Sequence, residues 1–154
     1  MPPLVLSSLD ALKELVGREI GCSEWLVVTQ ERIQRFAEVT EDRQWIHLDR
    51  EGAQRESPYG TTIAHGFLTL SLVSSFAKQA MEIRTGVRMA VNYGLNRVRF
   101  PAPVRADSRI RGCFTLAALK EIPGAVEATF SVSVEVERME KPCCAAEWIV
   151  RYYR

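Results

Sequence analysis

The 154 residues contain only two histidines, and both fall in one region. Thr40-Glu-Asp-Arg-Gln-Trp-Ile-His-Leu-Asp49 carries Asp42 and His47, five positions apart, and Gly60-Thr-Thr-Ile-Ala-His-Gly66 carries His65 and Gly66. An aspartate and a histidine that share one water can take and return its proton near neutral pH. A glycine in the first turn of a helix presents an unobstructed backbone N–H, backed by the partial positive charge of the helix dipole. Such a donor can hold a developing enolate or oxyanion. Each residue also has a plainer reading. Asp42 can be a turn residue, His47 a surface residue at a helix entry, and Gly66 a glycine required only for close packing. His65 reads first as a structural imidazole hydrogen-bonded at the helix entry, with catalysis as the alternative.

Other chemistries lack their signatures. There is no G-x-S-x-G elbow, P-loop or dinucleotide fingerprint. Ser71, Ser74 and Ser75 can orient a side chain or bond back to a carbonyl one turn earlier. Cys22 and Cys113 stand alone in strand-like patterns, and Cys143-Cys144 are neighbours with no C-x-x-C anywhere. All four read as reduced core or surface thiols, and no metal site is expected.

The elements that must position these residues follow from pattern. Ser7-Ser-Leu-Asp10 opens a short helix that Gly17 ends. Ile20 to Val28 reads as a strand. Thr29 caps a helix whose buried face is Ile33, Phe36 and Ala37, and that helix delivers the chain to Asp42. Asp49 caps a short polar helix through Arg55. Gly66 through Met81 reads as the longest helix, apolar nearly all round and therefore buried. The period then changes from helical to two. Strands are expected around Met89–Leu95, with a slip near Asn96 that implies a bulge, then around Ser108–Leu116, Glu127–Glu137 and Trp148–Tyr152. Short turns imply antiparallel neighbours. The sum is an α+β fold, one domain over residues 1–154, with an antiparallel sheet wrapped around a long central helix.

Composition agrees with a globular chain and excludes several classes. The apolar fraction is 47%, the charged fraction 25% and the net charge +1. That charge gives no case for nucleic acid or an anionic membrane surface. No apolar run reaches the roughly 18 residues of a membrane span, and the first residues lack a signal-peptide pattern. A cytoplasmic protein is expected.

Three ordered motifs make the chain resemble a known family. They are Phe36-Ala-Glu-Val-Thr-Glu-Asp42 through His47-Leu-Asp49, Ile63-Ala-His-Gly66-Phe-Leu-Thr-Leu-Ser71, and Asn92-Tyr-Gly-Leu95 through Val98-Arg-Phe-Pro101-Ala-Pro-Val104. Together they resemble the MaoC-like dehydratases, the single-domain R-specific enoyl-CoA hydratases and their relatives called nodulation protein N. The resemblance implies a hot-dog fold and a homodimer whose sheets join edge to edge. It implies reversible addition of water to a trans-2-enoyl thioester of coenzyme A or acyl carrier protein, with no metal or organic cofactor. Asp42 and His47 would hold the water, the Gly66 N–H would polarise the thioester carbonyl, and Ser74 would support the aspartate. Trp45, Tyr59 and Ile63 are candidates for the substrate channel. Glu41, Gln44 and Trp45 occupy the positions of the glycine, asparagine and proline in the family's Gly-Asp-x-Asn-Pro-x-x-His pattern. Two other readings remain open: a hot-dog thioesterase attacking the carbonyl carbon, and a non-catalytic acyl-thioester-binding module.

Overall fold

The computed structural model describes residues 1–154. The chain opens with β1 (Leu4–Leu6), a 3-10 helix (Leu9–Leu15), β2 (Glu19–Cys22) and β3 (Leu26–Val28). Helices α1 (Gln30–Thr40), α2 (Trp45–Leu48), α3 (Arg50–Glu56), α4 (Gly66–Ser71) and α5 (Val73–Ala80) follow. The remainder is strand: β4 (Met81–Ile83), β5 (Met89–Arg99), β6 (Ser108–Ile122), β7 (Ala125–Val136) and β8 (Cys144–Tyr153). Thr29 caps α1 by accepting from the Arg32 N–H, and Asp49 caps α3 by accepting from the Gly52 N–H. Both caps satisfy amide groups that a helix start leaves unpaired.

The main sheet runs in the order β2-β6-β7-β8-β5, with β3 also paired to β6, and every pairing in it is antiparallel. The alternation expected from the sequence is met in β7 and β8, where every second residue is buried over most of each strand. Those side chains meet Leu68 of α4, Leu72 at the break, and Val73, Phe76 and Ala80 of α5 in one core cluster of 27 residues. Gly112 lets the helix sit this close, because a Cβ there would lie 2.8 Å from the Cβ of Phe76. The expected bulge in β5 is present, with register shifts between Asn92 and Gly94 and between Asn96 and Arg99, and with Arg97 at φ 52°.

Four expectations are corrected. The central helix breaks briefly at Leu72 and stops at Ala80, with Met81 already in β4. It is buried on one face only, and Phe67 at its start is 70% exposed. The single strand over 20–28 is two short ones. The first long strand does not pair with the second: β5 lies at the sheet edge beside β8, because Pro101 and Pro103 carry the chain across the end of the helix instead of around a hairpin. Finally, Cys22 and Cys113 are joined as a disulfide. Antiparallel β2 and β6 set them directly opposite one another, a relation that isolated cysteines do not disclose. Cys143 and Cys144 are free and buried, and burial pushes their thiols up to about 12 and about 11. No helix is long and apolar enough to cross a membrane.

Candidate active site at the helix entry

The turn after α1 carries the aspartate. Glu41 ends the helix in the left-handed region at φ 62°, a conformation that glycine adopts freely and a Cβ resists. This explains why the family pattern has glycine at that position. Asp42 follows on the surface, and one turn of α2 then brings His47 inward, where it is 6% exposed. The segment that holds the second histidine is laced down on both sides. The Ile63 N–H donates to the Ile46 carbonyl, the Ala64 N–H to the Val104 carbonyl, and the Ala106 N–H to the Thr62 carbonyl. The crossing segment after β5 is thus the strip against which residues 62–64 lie, and it fixes where α4 begins.

The imidazoles of His47 and His65 stack face to face, with ring centroids 3.7 Å apart and planes 24° apart. Phe36 also packs on His65, its ring centroid 5.0 Å away and tilted by 54°. His47 Nδ1 lies 2.7 Å from the Ile63 carbonyl oxygen. A carbonyl can only accept, so Nδ1 carries the proton and, in the neutral ring, Nε2 is left as the basic nitrogen. His65 Nε2 likewise donates to the main-chain carbonyl of Asp42 at 2.9 Å. Its Nδ1 is buried with no partner. Burial holds His47 below its ordinary value of 6.5, and the neighbouring His65 acts in the same direction; the Ile63 hydrogen bond and the Asp42 charge act against them. His47 is therefore disposed to be neutral, the form a general base needs.

A further layer holds His47 from behind. The Gln30 side-chain amide donates to the His47 carbonyl at 2.7 Å, and the hydroxyl of Thr62, fully buried, donates to the Gln30 side-chain carbonyl. Nothing in the sequence marks Gln30 and Thr62: the first ends on a main-chain carbonyl, an acceptor with no residue type to announce it, and the second meets a side chain 32 positions away. Asp42, His47 and His65 offer ligand-type atoms within 4.8 Å of one another. One nitrogen of each ring is committed to a main-chain carbonyl, which leaves one ring nitrogen on each histidine beside the Asp42 carboxylate.

Gly66 is the first residue of α4, where amide groups lack intrahelical partners. A Cβ at this position would lie 3.0 Å from the Phe100 ring. Gly66, Tyr59 and Ile63 line one cavity of about 240 Å³ with Phe100 and the crossing segment. Trp45 is 43% exposed and outside that lining. Ser74 is placed elsewhere: its hydroxyl donates to the Asn92 side-chain oxygen at 3.3 Å, in a separate cleft between the helix and β5. The structure thus gathers Asp42, His47, His65, Gly66 and Ile63 at the helix entry, with Tyr59 beside them.

Residues 12–138 match the family model described as MaoC like domain. The 3-hydroxyacyl-thioester dehydratase Z of Mycobacterium tuberculosis is 48% identical over 94% of this chain and 95% of its own length. Nodulation protein N of Rhizobium leguminosarum bv. viciae is 45% identical over 92% of this chain and 89% of its own. Among solved structures, the monoamine oxidase regulatory protein from Archaeoglobus fulgius superposes with a TM-score of 0.80 at 22% identity, covering 100% of this chain and 99% of that one. The (R)-hydratase from A. caviae involved in PHA biosynthesis gives 0.72 at 21% identity, over 88% and 94%. At these identities the structural likeness speaks for the hot-dog fold.

Proposed function

The chain belongs to the MaoC-like family, and on that premise we propose that it is a single-domain hydro-lyase interconverting trans-2-enoyl and (R)-3-hydroxyacyl thioesters. The observation that carries the reading is a buried His47 with Nδ1 against the Ile63 carbonyl, its pKa lowered by burial, beside Asp42 at a helix entry that begins with Gly66. Hydration needs a water activated at C3, a proton delivered at C2 and an electrophile on the carbonyl oxygen. Asp42 and the Nε2 of His47 hold the water. One of them takes its proton as oxygen bonds to C3, and C2 receives a proton as the enolate collapses. The Gly66 N–H holds the enolate oxygen between those events. In the reverse direction the same groups remove the C2 proton and protonate the departing hydroxyl.

His65 is a positioning residue in this scheme. It holds the Asp42 main chain through Nε2 and supports the face of His47. Tyr59 and Ile63 line the approach of the thioester to Gly66, while Trp45 flanks the turn on its open side. The carrier is coenzyme A or acyl carrier protein. The assembly is a homodimer built on β5, whose outer edge has no neighbour in the sheet and which exposes Met89, Val91, Tyr93 and Leu95.

The test follows the enoyl-thioester absorbance with crotonyl-CoA and a medium-chain trans-2-enoyl-CoA, wild type beside Asp42→Asn. Loss of the band with wild type alone is expected. An unchanged rate in a folded Asp42→Asn protein would sink the assignment of the acid.

A further inference from the structure

Thr69 lies one turn into α4 and is 2% exposed, yet its hydroxyl makes no hydrogen bond within the chain. Helical hydroxyls commonly bond back to a carbonyl one turn earlier, as Thr40 does to Phe36 and Ser71 to Leu68, both at 2.7 Å. The other buried polar side chains are engaged: Ser23 and Thr62 through their hydroxyls, and each histidine through one ring nitrogen. The buried side-chain atom that is sealed from solvent without a partner is His65 Nδ1. The Thr69 oxygen, unpaired but not sealed, is thus the part of this residue that meets open space. The cavity that Thr69 lines is the one of about 240 Å³ that Gly66 also lines. On the same wall the Cys143 thiol is committed to the Val134 carbonyl at 3.3 Å, and Tyr59 is largely at the surface. Thr69 supplies the buried side-chain donor that is still free. Gly66 and Thr69 are three positions apart on one helix and so share a face, and a helical side chain tilts back over the turn before it. The hydroxyl is therefore carried toward the Gly66 end of the cavity.

Resting on the hydro-lyase reading, we propose that the Thr69 hydroxyl is a second donor to the thioester oxygen, acting beside the Gly66 N–H. As the water oxygen bonds to C3, the electron pair of the C2–C3 double bond moves through C2 and gathers as negative charge on that oxygen. The hydroxyl donates a hydrogen bond to it and keeps its own proton. When C2 takes a proton the carbonyl re-forms and the bond weakens again. A buried hydroxyl without a partner costs the fold stability, and a ligand oxygen arriving in the cavity supplies what is missing. Because no existing bond of Thr69 must break first, the donor is ready before the charge develops. Its neighbours on the wall, among them Ile63, Ala64, Phe100 and Val104, are apolar, and a hydrogen bond is stronger in such surroundings than in water. The group recognised is the thioester carbonyl itself, so the contribution is the same whatever the length of the acyl chain.

The test compares Thr69→Val, which keeps the shape and removes the hydroxyl, with Thr69→Ser, which keeps the hydroxyl. Thr69→Val should lower kcat by about 10²-fold, by the same factor on crotonyl-CoA and on a medium-chain trans-2-enoyl-CoA, with KM little changed. Its urea midpoint should not fall, because no hydrogen bond within the fold is lost. Thr69→Ser should keep most of the rate. A second readout needs no turnover: the infrared carbonyl band of bound butyryl-CoA, isotopically labelled at the thioester carbon. That band should lie at lower frequency with wild type and Thr69→Ser than with Thr69→Val. A Thr69→Val protein as fast as wild type overturns the inference. So does a carbonyl band that ignores the substitution, or a fall in the urea midpoint large enough to account for the lost rate. The parent reading fails in a different way. A band that follows Thr69 in a protein that hydrates neither substrate removes the hydro-lyase and keeps the carbonyl site, whereas hydration that Thr69→Val leaves untouched does the reverse.

Discussion

β5 and β7 have nearly the same length, 11 and 12 residues, and lie in the same sheet. β7 has a neighbour on each side and buries alternate residues under the helix. β5 has one neighbour, contributes nothing to the 27-residue core and has no buried residue. Both are rich in strand-forming side chains, so propensity does not separate them. Position does. The apolar residues of β7 are used up in holding the fold, whereas β5 borders a cleft and leaves the main-chain groups of its outer edge unpaired. The helix entry also stands apart from the apolar core: its buried side chains His47, His65 and Thr62 are polar and hydrogen-bonded.

If that division is sound, the largest effect on rate should come from a residue that contributes little to stability. His47→Gln is expected to lower kcat by about 10²–10⁴-fold while moving the urea-unfolding free energy by no more than about 1 kcal/mol. A loss of stability matching the loss of rate would dissolve the distinction. The converse comes from β7. Phe130, 2% exposed, should cost about 3–5 kcal/mol on truncation to Ala, whereas Leu95→Ala in β5 should stay within about 0.5 kcal/mol for an isolated subunit. Paired urea titrations give both numbers, and equal costs would mean that β5 is part of the core after all.

The pH profile sharpens the contrast at the helix entry. With its folded pKa depressed by burial, His47 should stay neutral to below 6.5, and kcat/KM should fall about tenfold per pH unit only beneath that pKa. Between the folded pKa and 6.5 the unfolded chain binds the proton first, so the contribution of His47 to stability declines as pH falls. His47→Gln should lack that decline. On β5, Val91→Lys with Leu95→Lys should halve the sedimenting mass without unfolding the chain, if the edge joins a second copy. A change in the opposite direction is expected at Glu41. Its φ of 62° makes Glu41→Gly a stabilising change of about 1 kcal/mol, read as a rise in the urea midpoint.

Much of this was legible in the sequence wherever a local rule governs. Thr29 and Asp49 are caps that any chain would use, β7 and β8 alternate because one face is buried, and the phase slip near Asn96 is a true irregularity of β5. Asp42, His47 and Gly66 stand out by type and spacing. What stayed hidden depends on contacts between distant parts of the chain. The pairing of β5 with β8, the disulfide between Cys22 and Cys113, and the bond from Trp148 to the Asn92 amide join residues dozens of positions apart. The bonds that orient the two imidazoles end on the carbonyls of Ile63 and Asp42, atoms that every residue has. Ser74 illustrates the difficulty: its place in the chain suggested the aspartate, and its place in the helix gives it Asn92.

The crossing segment after β5 also sets a timetable. β5 is synthesised before β6, β7 and β8, yet its only neighbour is β8. At about 5–20 residues per second, a ribosome needs several seconds to travel from Arg99 to Cys144. Throughout that interval β5 has no sheet neighbour to pair with, and whatever part of it has left the ribosome is open to chaperones or another nascent chain. A strand left at the edge of the finished sheet is thus also the last to be enclosed while the protein is made.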